Sequence, residues 1–552
     1  MSKFIFVTGG VVSSLGKGIA AGALGLILKE CGLTVRNQKL DPYLNVDPGT
    51  MSPSQHGEVF VTDDGTEADL DLGHYERFTG VPANKYSNFT AGSIYFDVLS
   101  KERRGDYLGR TVQIVPHITD YLKQCILSLE SDDVDVVISE IGGTVGDIEG
   151  LFFLETLRQI AFEKGRENVM FLHVTLIPHL NSSDEIKTKP TQHSVQKLRE
   201  VGISPDVLVC RTVRHLDDQV KSKISLFCNV PVEAVIEEKD VERSIYEVPF
   251  VFLEQNLDKF ITNRLNLKYK KPKLVEWKKL IKSLDHVNKH VKIGIIGKYI
   301  DLNDSYKSII ESLQHAALAN KSSVEIDIVP SEDMENETKR KVLKEYDGIL
   351  VPGGFGDRGV EGKLESVRFA REKKIPFLGI CLGMQCATIE FARNVCKLSD
   401  ANSTEFNPKT EHPVISLLEE QKKVVNLGGT MRLGAYPCSI QKGSKASEAY
   451  NSLNISERHR HRYEFNDEFH ELFVKKGMVF SGYSPDKNLI EIIELKDHPW
   501  FIGCQFHPEF KSRPIAPHPL FKSFIKASIK NSSNVSSKKK FVNKVKNKKS
   551  KK

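Results

Sequence analysis

KFIFVTGGVVSSLGKGIAAGALGLILKE, residues 3–30, decides the fold. KFIFVT (3–8) is a short apolar run and predicts a buried strand. KGIAAGALGLILKE (17–30) predicts the helix that follows it. A strand that hands over to a helix is the unit of a parallel α/β sheet. The glycines between them let backbone N–H groups approach phosphates, and the helix N-terminus adds positive potential. Lys17 supplies a point charge there. The match to the P-loop pattern is imperfect, because five residues rather than four separate Gly10 from Gly16, and Gly18 replaces the hydroxyl that would ligate magnesium.

The same alternation continues along the chain. DVVIS (135–139), VMFLHVTLI (169–177) and DVLVC (206–210) predict strands, with helices such as FLETLRQIAFEKG (153–165) between them. LKYKKPKLVEWKKLIKSLDHVNKH (267–290) breaks the pattern and reads as a linker with a helix of its own. VKIGIIGKY (291–299), VEIDIVP (324–330), DGILVPGG (347–354), IPFLGICLG (375–383) and FIGCQFHPEF (501–510) then form a second series. Two α/β domains follow, each a mostly parallel sheet flanked by helices, at 1–266 and 291–528. The polar, basic tail 529–552 is expected to be disordered.

The 552 residues are too many for one core. The net charge of +6 suggests nucleic acid at first sight, but residues 536–552 hold nine lysines and no acid. Without them the body stands at 6 − 9 = −3. MSKFIFVTGG reads as the start of a strand rather than a signal peptide, and no stretch is long and apolar enough to span a bilayer. Nine scattered cysteines without CxxC pairs fit a reducing, cytoplasmic setting.

If Gly18 cannot ligate magnesium, carboxylates must. Glu140 closes the DVVISE strand at the mouth of a parallel sheet, where ligands bind. The acidic run TDDGTEADLDLGHYERF (62–78) is a further source, or else a solvated loop. KTKPTQHS (187–194) reads as a loop whose two lysines suit a second phosphate-bearing ligand, or as a plain surface loop.

GICLGM (379–384) has the Gly-x-Cys-x-Gly form of a nucleophile elbow with cysteine for serine. The helix N-terminus and a nearby imidazolium favour the thiolate. The N–H of Leu382, with that of Gly354 in VPGGFG (351–356), is placed to hold an oxyanion. In FHPEF (506–510) the proline predicts an extended backbone, with Glu509 fixing the His507 tautomer. A buried core cysteine and a simple turn are the bland readings. Together, at strand ends of one domain, the three residues point to a Cys381–His507–Glu509 triad. RHRHRYE (458–464) reads either as a basic patch or as one anion-binding arginine among structural ones.

Through VPGGFG, GICLGMQ and HPE the second domain resembles class I glutamine amidotransferases. The whole chain resembles CTP synthases through FVTGGVVSSLGKGIAA, KLDPYLNVDPGTMSPSQHGEVFVTDDG, EIGGTVGDIE, KTKPTQHSV, GGFGDRGVEGK, ANSTEF and CQFHPEF. The resemblance implies an amidoligase domain followed by a glutaminase domain, in which ATP phosphorylates UTP at its 4-oxygen and ammonia from glutamine displaces the phosphate to give CTP. It implies ATP at Ser14, Leu15, Gly16, Lys17, Gly18, Ile19, Lys39, Asp71, Lys239, Asp240 and Val241, and Mg2+ at Asp71 and Glu140. UTP, or CTP as feedback inhibitor, is implied at Ser13, Asp147, Ile148, Glu149, Lys187, Thr188, Lys189, Pro190, Thr191, Gln192 and Lys223. Glutamine is implied at Gly354, Leu382, Gly383, Met384, Gln385, Glu405 and Arg462, an ammonia gate at His56, and activating GTP at Arg358. The family also implies a homotetramer able to form filaments, while hydropathy and the charge distribution lead us to expect neither a membrane nor a nucleic-acid partner. EEQKKVVNLGG (419–429) is shorter than in many bacterial members. Two alternatives stand beside this reading: a cobyrinate-type amidase fused to a glutaminase, and an inactive scaffold that binds RNA through its tail.

Overall fold

The structure, a computed structural model, describes residues 2–180, 182, 184–241, 243–300, 302–417, 429–485 and 489–533. Residues 418–428, which hold most of EEQKKVVNLGG, and the lysine tail from 534 lie outside the described residues. The chain forms two compact units, Met1–Thr50 with Ala68–Ile281, and Met51–Glu67 with Lys282–Lys552. These limits differ from the sequence reading. Segment 51–67 belongs with the second unit, and the first part of the expected linker belongs with the first. Helix Val275–Leu284 buries Trp277, which stacks on Phe78 with ring centroids 5.6 Å apart. Burial of that large ring draws the segment into the first unit. A helix also covers 519–533, so the ordered chain runs past the expected start of the tail. Asn531 Nδ2 there donates to Asp347 O at 3.1 Å.

The first unit is built on one sheet of β1 (Lys3–Gly9), β2 (Val35–Asp41), β3 (Asn88–Thr90), β4 (Val136–Ile141), β5 (Val169–Leu176), β6 (Val207–Thr212) and β7 (Val235–Lys239). Their order is β7-β6-β5-β1-β4-β2-β3, with every neighbouring pair parallel. Phe4, Ile5, Phe6 and Val7 of the central strand are fully buried, as a sheet covered on both faces requires. From β1 the chain leaves toward β2 on one side and later returns to β5 on the other. The crevice beyond the strand ends at such a reversal is where α/β sheets bind ligands. Helix α1 (Lys17–Glu30) starts there.

The second unit carries β8 (Lys289–Gly297), β9 (Ser322–Pro330), β10 (Gly348–Val351), β11 (Phe377–Ile380), β12 (Arg432–Ile440), β13 (Asn454–His461), β14 (Met478–Tyr483), β15 (Ile490–Leu495) and β16 (Phe501–Cys504). The order is β9-β8-β10-β11-β16-β15-β14-β12-β13. The strands from β9 to β16 are parallel, and the rest are antiparallel. The mostly parallel sheet expected from sequence is thus extended by an antiparallel half. The links 484–489 and 496–500 are too short for the crossover a parallel pair needs.

Candidate active sites

The loop between β1 and α1 turns through left-handed backbone at Val11 (φ 82°), Ser14 (φ 56°) and Gly16 (φ 95°). For a β-branched valine this is strain of the kind stored at ligand-binding loops. Lys17 opens α1 and donates to Gly143 O. Burial pulls its ammonium below the usual lysine range, and Glu140 only partly offsets this.

Lys39 on β2 and Glu140 on β4 are register partners, so they share one face beside the loop. Lys39 Nζ lies 3.1 Å from Glu140 Oε1, 3.7 Å from Asp41 and 3.8 Å from Asp69, and it is ion-paired with Asp71. Burial alone would lower Lys39, but Asp71, Glu140 and the other carboxylates outweigh it and hold the group charged. Burial first, and then Asp71, push Glu140 up to about 7. Tyr75 donates its hydroxyl to the other Glu140 oxygen. The Lys39 ammonium thus marks a cation position on which Asp71 and Glu140 converge. Among the described residues no three His, Cys, Asp or Glu side chains form a complete metal cage. Magnesium needs none, since it takes one or two carboxylates and completes its shell with phosphate oxygens and water. The pair fits that ion.

Gly18 explains its own departure from the P-loop pattern. A Cβ there would lie 2.1 Å from Oδ1 of Asp71, the first residue of helix α2 (Asp71–Thr79), so the glycine makes room for that carboxylate. Gly18→Ala is expected to displace Asp71 and to cut ATP-dependent turnover, with a stability cost of about 1–3 kcal/mol. Steady-state rates and thermal melts check this.

The other residues that the resemblance implies for nucleotides lie on several elements of the first unit. Ser13 and Ser14 are exposed, Leu15 is buried, and Ile19 sits in the first turn of α1. Asp147, Ile148 and Glu149 are exposed at the turn Ile148–Gly150. Lys187 pairs with Glu185. KTKPTQHS is not all loop: α3 (Lys189–Glu200) begins inside it, with Pro190 in the first turn, where a missing N–H costs nothing. Thr191 is buried and bonded to Thr175 Oγ1 and Leu176 O, while Gln192 Nε2 donates to Thr188 Oγ1 at 3.0 Å. Lys223 is exposed on helix Asp218–Cys228. Lys239 is exposed at the end of β7, Asp240 accepts from Arg211 Nη2 at 2.6 Å, and Val241 is half-buried. Sequence reading missed Arg211. Its Nη1 comes within 3.6 Å of the Cβ position of Gly16, and its place at the end of β6 is the signal that could have found it.

In the second unit three neighbouring strand ends converge. Register pairs Val351 with Gly379 and Ile380 with Cys504, so the loops after β10, β11 and β16 open side by side. They carry Gly353 and Gly354, Cys381, and His507. Cys381 holds φ 52°, ψ −105° between β11 and helix α4 (Leu382–Asn394), and its N–H donates to Cys504 O at 2.7 Å. That sharp turn needs Gly383, where a Cβ would lie 2.0 Å from Val351 O. The sulfur lies 3.7 Å from Arg460 O and 3.7 Å from Gln505 Nε2.

His507 Nδ1 and Glu509 Oε1 are 2.7 Å apart. The backbone between them is not extended as expected. Pro508–Lys511 is a single 3-10 turn, which proline tolerates at its start, and the turn brings the carboxylate under the ring. Burial opposes the charge on His507, but Glu509 and then the Cys381 sulfur outweigh it and push it up to about 10. Nε2 is buried and has no hydrogen-bond partner of normal geometry among the described residues. A cavity of about 70 Å³ is lined by Cys381, His507, Glu509, Gly354, Arg460 and, from segment 51–67, Pro53, Glu58 and Val59.

The residues that the resemblance implies for glutamine divide. Gly354 lines this cavity, and Leu382, Gly383, Met384 and Gln385 form the first turn of α4. Met384 is core packing, and Gln385 Nε2 donates to Tyr463 O at 3.0 Å. Glu405 accepts from Gly356 N at 2.7 Å and thereby holds the loop after β10. Arg462 does not line the cavity and donates to Thr430 Oγ1 at 2.9 Å. Arg358 bridges Glu332 (2.7 Å) and Lys298 O (2.9 Å). His56 is exposed at the end of the one-turn helix Pro53–His56. Two arginines of RHRHRYE are turned inward onto carboxylates. Arg458 is buried on Asp63 at 2.6 Å, and Arg460, whose role the sequence did not separate, is turned inward onto Glu67 at 2.8 Å. All nine cysteines are free and buried. No described helix is long and apolar enough to cross a membrane.

Family models match over most of this length: CTP synthase N-terminus over residues 3–267, and Glutamine amidotransferase class-I over 301–527. A CTP synthase of Caldanaerobacter subterraneus subsp. tengcongensis is 59% identical over 530 residues, which is 96% of this chain and 98% of that protein. A CTP synthase of Geobacillus kaustophilus is 56% identical over 531 residues, 96% of this chain and 100% of that one. Among solved structures, the glutaminase domain of Trypanosoma brucei CTPS with bound acivicin is 38% identical, covering 44% of this chain and 94% of its own, with a TM-score of 0.41. The chain therefore belongs to the CTP synthases, ligases that make CTP by an ATP-dependent reaction and draw the amino group from glutamine.

Proposed function

We propose a division of labour between the two sites, carried by one observation: the oxyanion loop, the nucleophile and the base leave three neighbouring strands of a single sheet. The Cys381 sulfur attacks the amide carbon of glutamine. The N–H groups of Gly354 and Leu382 hold the oxyanion. The His507 imidazolium, kept charged by Glu509, gives its proton to the departing ammonia. His507 then takes a proton from the water that frees glutamate from the sulfur. Glu405 and Arg462 orient the amino acid, and Leu382 to Gln385 shape the floor of the site.

In the first unit, Ser14 to Ile19 cradle the ATP phosphates, with Lys17 and Lys39 as counter-charges and Lys239 to Val241 at the base. Asp71 and Glu140 are the residues that would hold Mg2+, which when bound neutralises phosphate charge. Ser13, Lys187 to Gln192 and Lys223 take the UTP triphosphate, and Asp147 to Glu149 read the cytosine of inhibiting CTP. Phosphorylation turns the 4-oxygen of UTP into a leaving group, so that ammonia bonds to C4 while phosphate departs with that oxygen. Ammonia reacts only unprotonated, hence a protected path with His56 as its gate. GTP activates through Arg358. The enzyme works as a cytoplasmic homotetramer able to form filaments.

The test is CTP formation by the purified full chain with ATP and Mg2+, given glutamine or ammonia, with and without UTP. UTP-dependent CTP is expected from both nitrogen sources. No UTP-dependent rise would sink the reading, and amination of a corrinoid acid instead would favour a cobyrinate-type amidase.

A further inference from the structure

The two glycines after β10 have different neighbours. A Cβ on Gly353 would meet His507 Cε1 at 2.9 Å and Cys381 Cβ at 3.6 Å. One on Gly354 would meet Leu382 Cδ2 at 3.5 Å, Lys298 Cε at 3.6 Å and Lys363 Nζ at 3.8 Å. The peptide between them therefore runs from the reacting groups to a pair of lysines. Lys298 Nζ donates to Phe355 O, and Glu405 accepts from Gly356 N, so the next two residues of the loop are pinned. Lys363, on the helix Val360–Lys373, makes no such bond. Its side chain is fully buried, and Nζ has no hydrogen-bond partner among the described residues. Burial pulls its ammonium below the usual lysine range, and Cys386 and Glu332 only partly offset this. Leaving a buried donor unmatched is costly. Keeping one there calls for an acceptor that comes within reach in another state, and the adjacent loop backbone is the nearest source.

We propose that Lys363 is a positioning residue for glutamine hydrolysis: it donates to the Gly353 carbonyl when the Gly353–Gly354 peptide turns its N–H toward the oxyanion. This rests on the reading of Cys381 as nucleophile and of the Gly354 N–H as oxyanion donor. In a trans peptide the C=O and N–H point opposite ways, so the group that fixes the carbonyl also aims the N–H. Glycine on both sides lets that peptide rotate with little steric hindrance. A donor on the carbonyl also polarises the peptide and strengthens the bond its N–H makes to developing negative charge. Lys298 is already committed to Phe355 O, which leaves the task to Lys363. Lys363 acts through the peptide and does not touch the reacting amide.

The test uses the full chain with Lys363→Met, which keeps the bulk and removes the donor, and Lys363→Gln, which keeps a donor without the charge. Two quantities are read: kcat and KM for glutamine hydrolysis, and the rate at which iodoacetamide alkylates Cys381, followed by the mass of the peptide that carries it. Alkylation is a direct displacement at carbon and forms no oxyanion. Lys363→Met is expected to lose about 10²-fold in kcat, the size of a missing oxyanion donor. Its KM should stay within about threefold of the parent's and its alkylation rate within about twofold, the scale of ordinary context effects. Lys363→Gln should recover part of the lost kcat. A lysine that only supported the fold would move alkylation and KM together with kcat. A kcat of Lys363→Met equal to the parent's, or a fall in alkylation that matches the fall in kcat, would overturn the proposal. If Lys363→Met does not fold, as a thermal melt reports, the same two outcomes are read from Lys363→Gln. A parent that hydrolyses no glutamine, or a Cys381→Ala variant that still does, would instead overturn the functional reading beneath it.

Discussion

Cys381→Ala is expected to abolish CTP synthesis from glutamine, by about 10⁴-fold or more, because no residual positioning replaces a missing nucleophile. Synthesis from added ammonia should stay within twofold of the parent. The split follows from where the residue sits. Cys381 lies at the end of β11 in the second unit, in a cavity lined wholly by residues of that unit. The phosphate loop, Lys39, Asp71 and Glu140 lie in the first. Alanine removes the sulfur and leaves the Cβ, so the turn with φ 52° and the packing of α4 are preserved. Parallel assays with glutamine and with ammonia read the result. Loss of both activities would show that Cys381 does more than hydrolyse glutamine.

Lys17→Ala should behave in the opposite way, removing synthesis from both nitrogen sources by about 10²–10³-fold, the loss typical of a charged group aimed at developing charge. Lys17 is the first residue of α1, and burial holds its ammonium below the usual range. A phosphate anion beside it favours the charged form, so ATP binding should weaken in the variant. Glutamine hydrolysis without nucleotides should persist in Lys17→Ala. Calorimetry of ATP binding and a thermal melt, beside the two synthesis assays, separate this from misfolding. If ATP binding and synthesis survive, the loop is structural.

The two predictions divide the molecule along the line that local sequence drew. The strand–glycine–helix unit at 3–30 and the Gly-x-Cys-x-Gly turn at 379–383 were legible because short-range rules govern them: apolar runs make buried strands, and glycine is what survives where backbones meet. Cys381, His507 and Glu509 were legible as residue types at strand ends. Their neighbourhood was not, because β11 and β16 are 120 residues apart in the chain and meet only through sheet order. The turn at Pro508–Lys511 was misread as extended, since a proline excludes the interior of a helix but not its first turn.

What the sequence by itself determined is the set of local devices: a phosphate loop without its hydroxyl, a thiol elbow, and a His-Pro-Glu turn. Each depends on contacts within a few residues. Only the tertiary structure decided that Gly18 is glycine because Asp71 sits against it, that Lys39 is the cation joining Asp71 and Glu140, and that segment 51–67 belongs with the thiol unit. The same holds for Arg458 and Arg460 of RHRHRYE, which are turned inward onto Asp63 and Glu67. The physical reason is common to all four. Burial and pairing of charge depend on which strands become neighbours, and that is settled by the whole core rather than by any stretch that a reader of the chain can isolate.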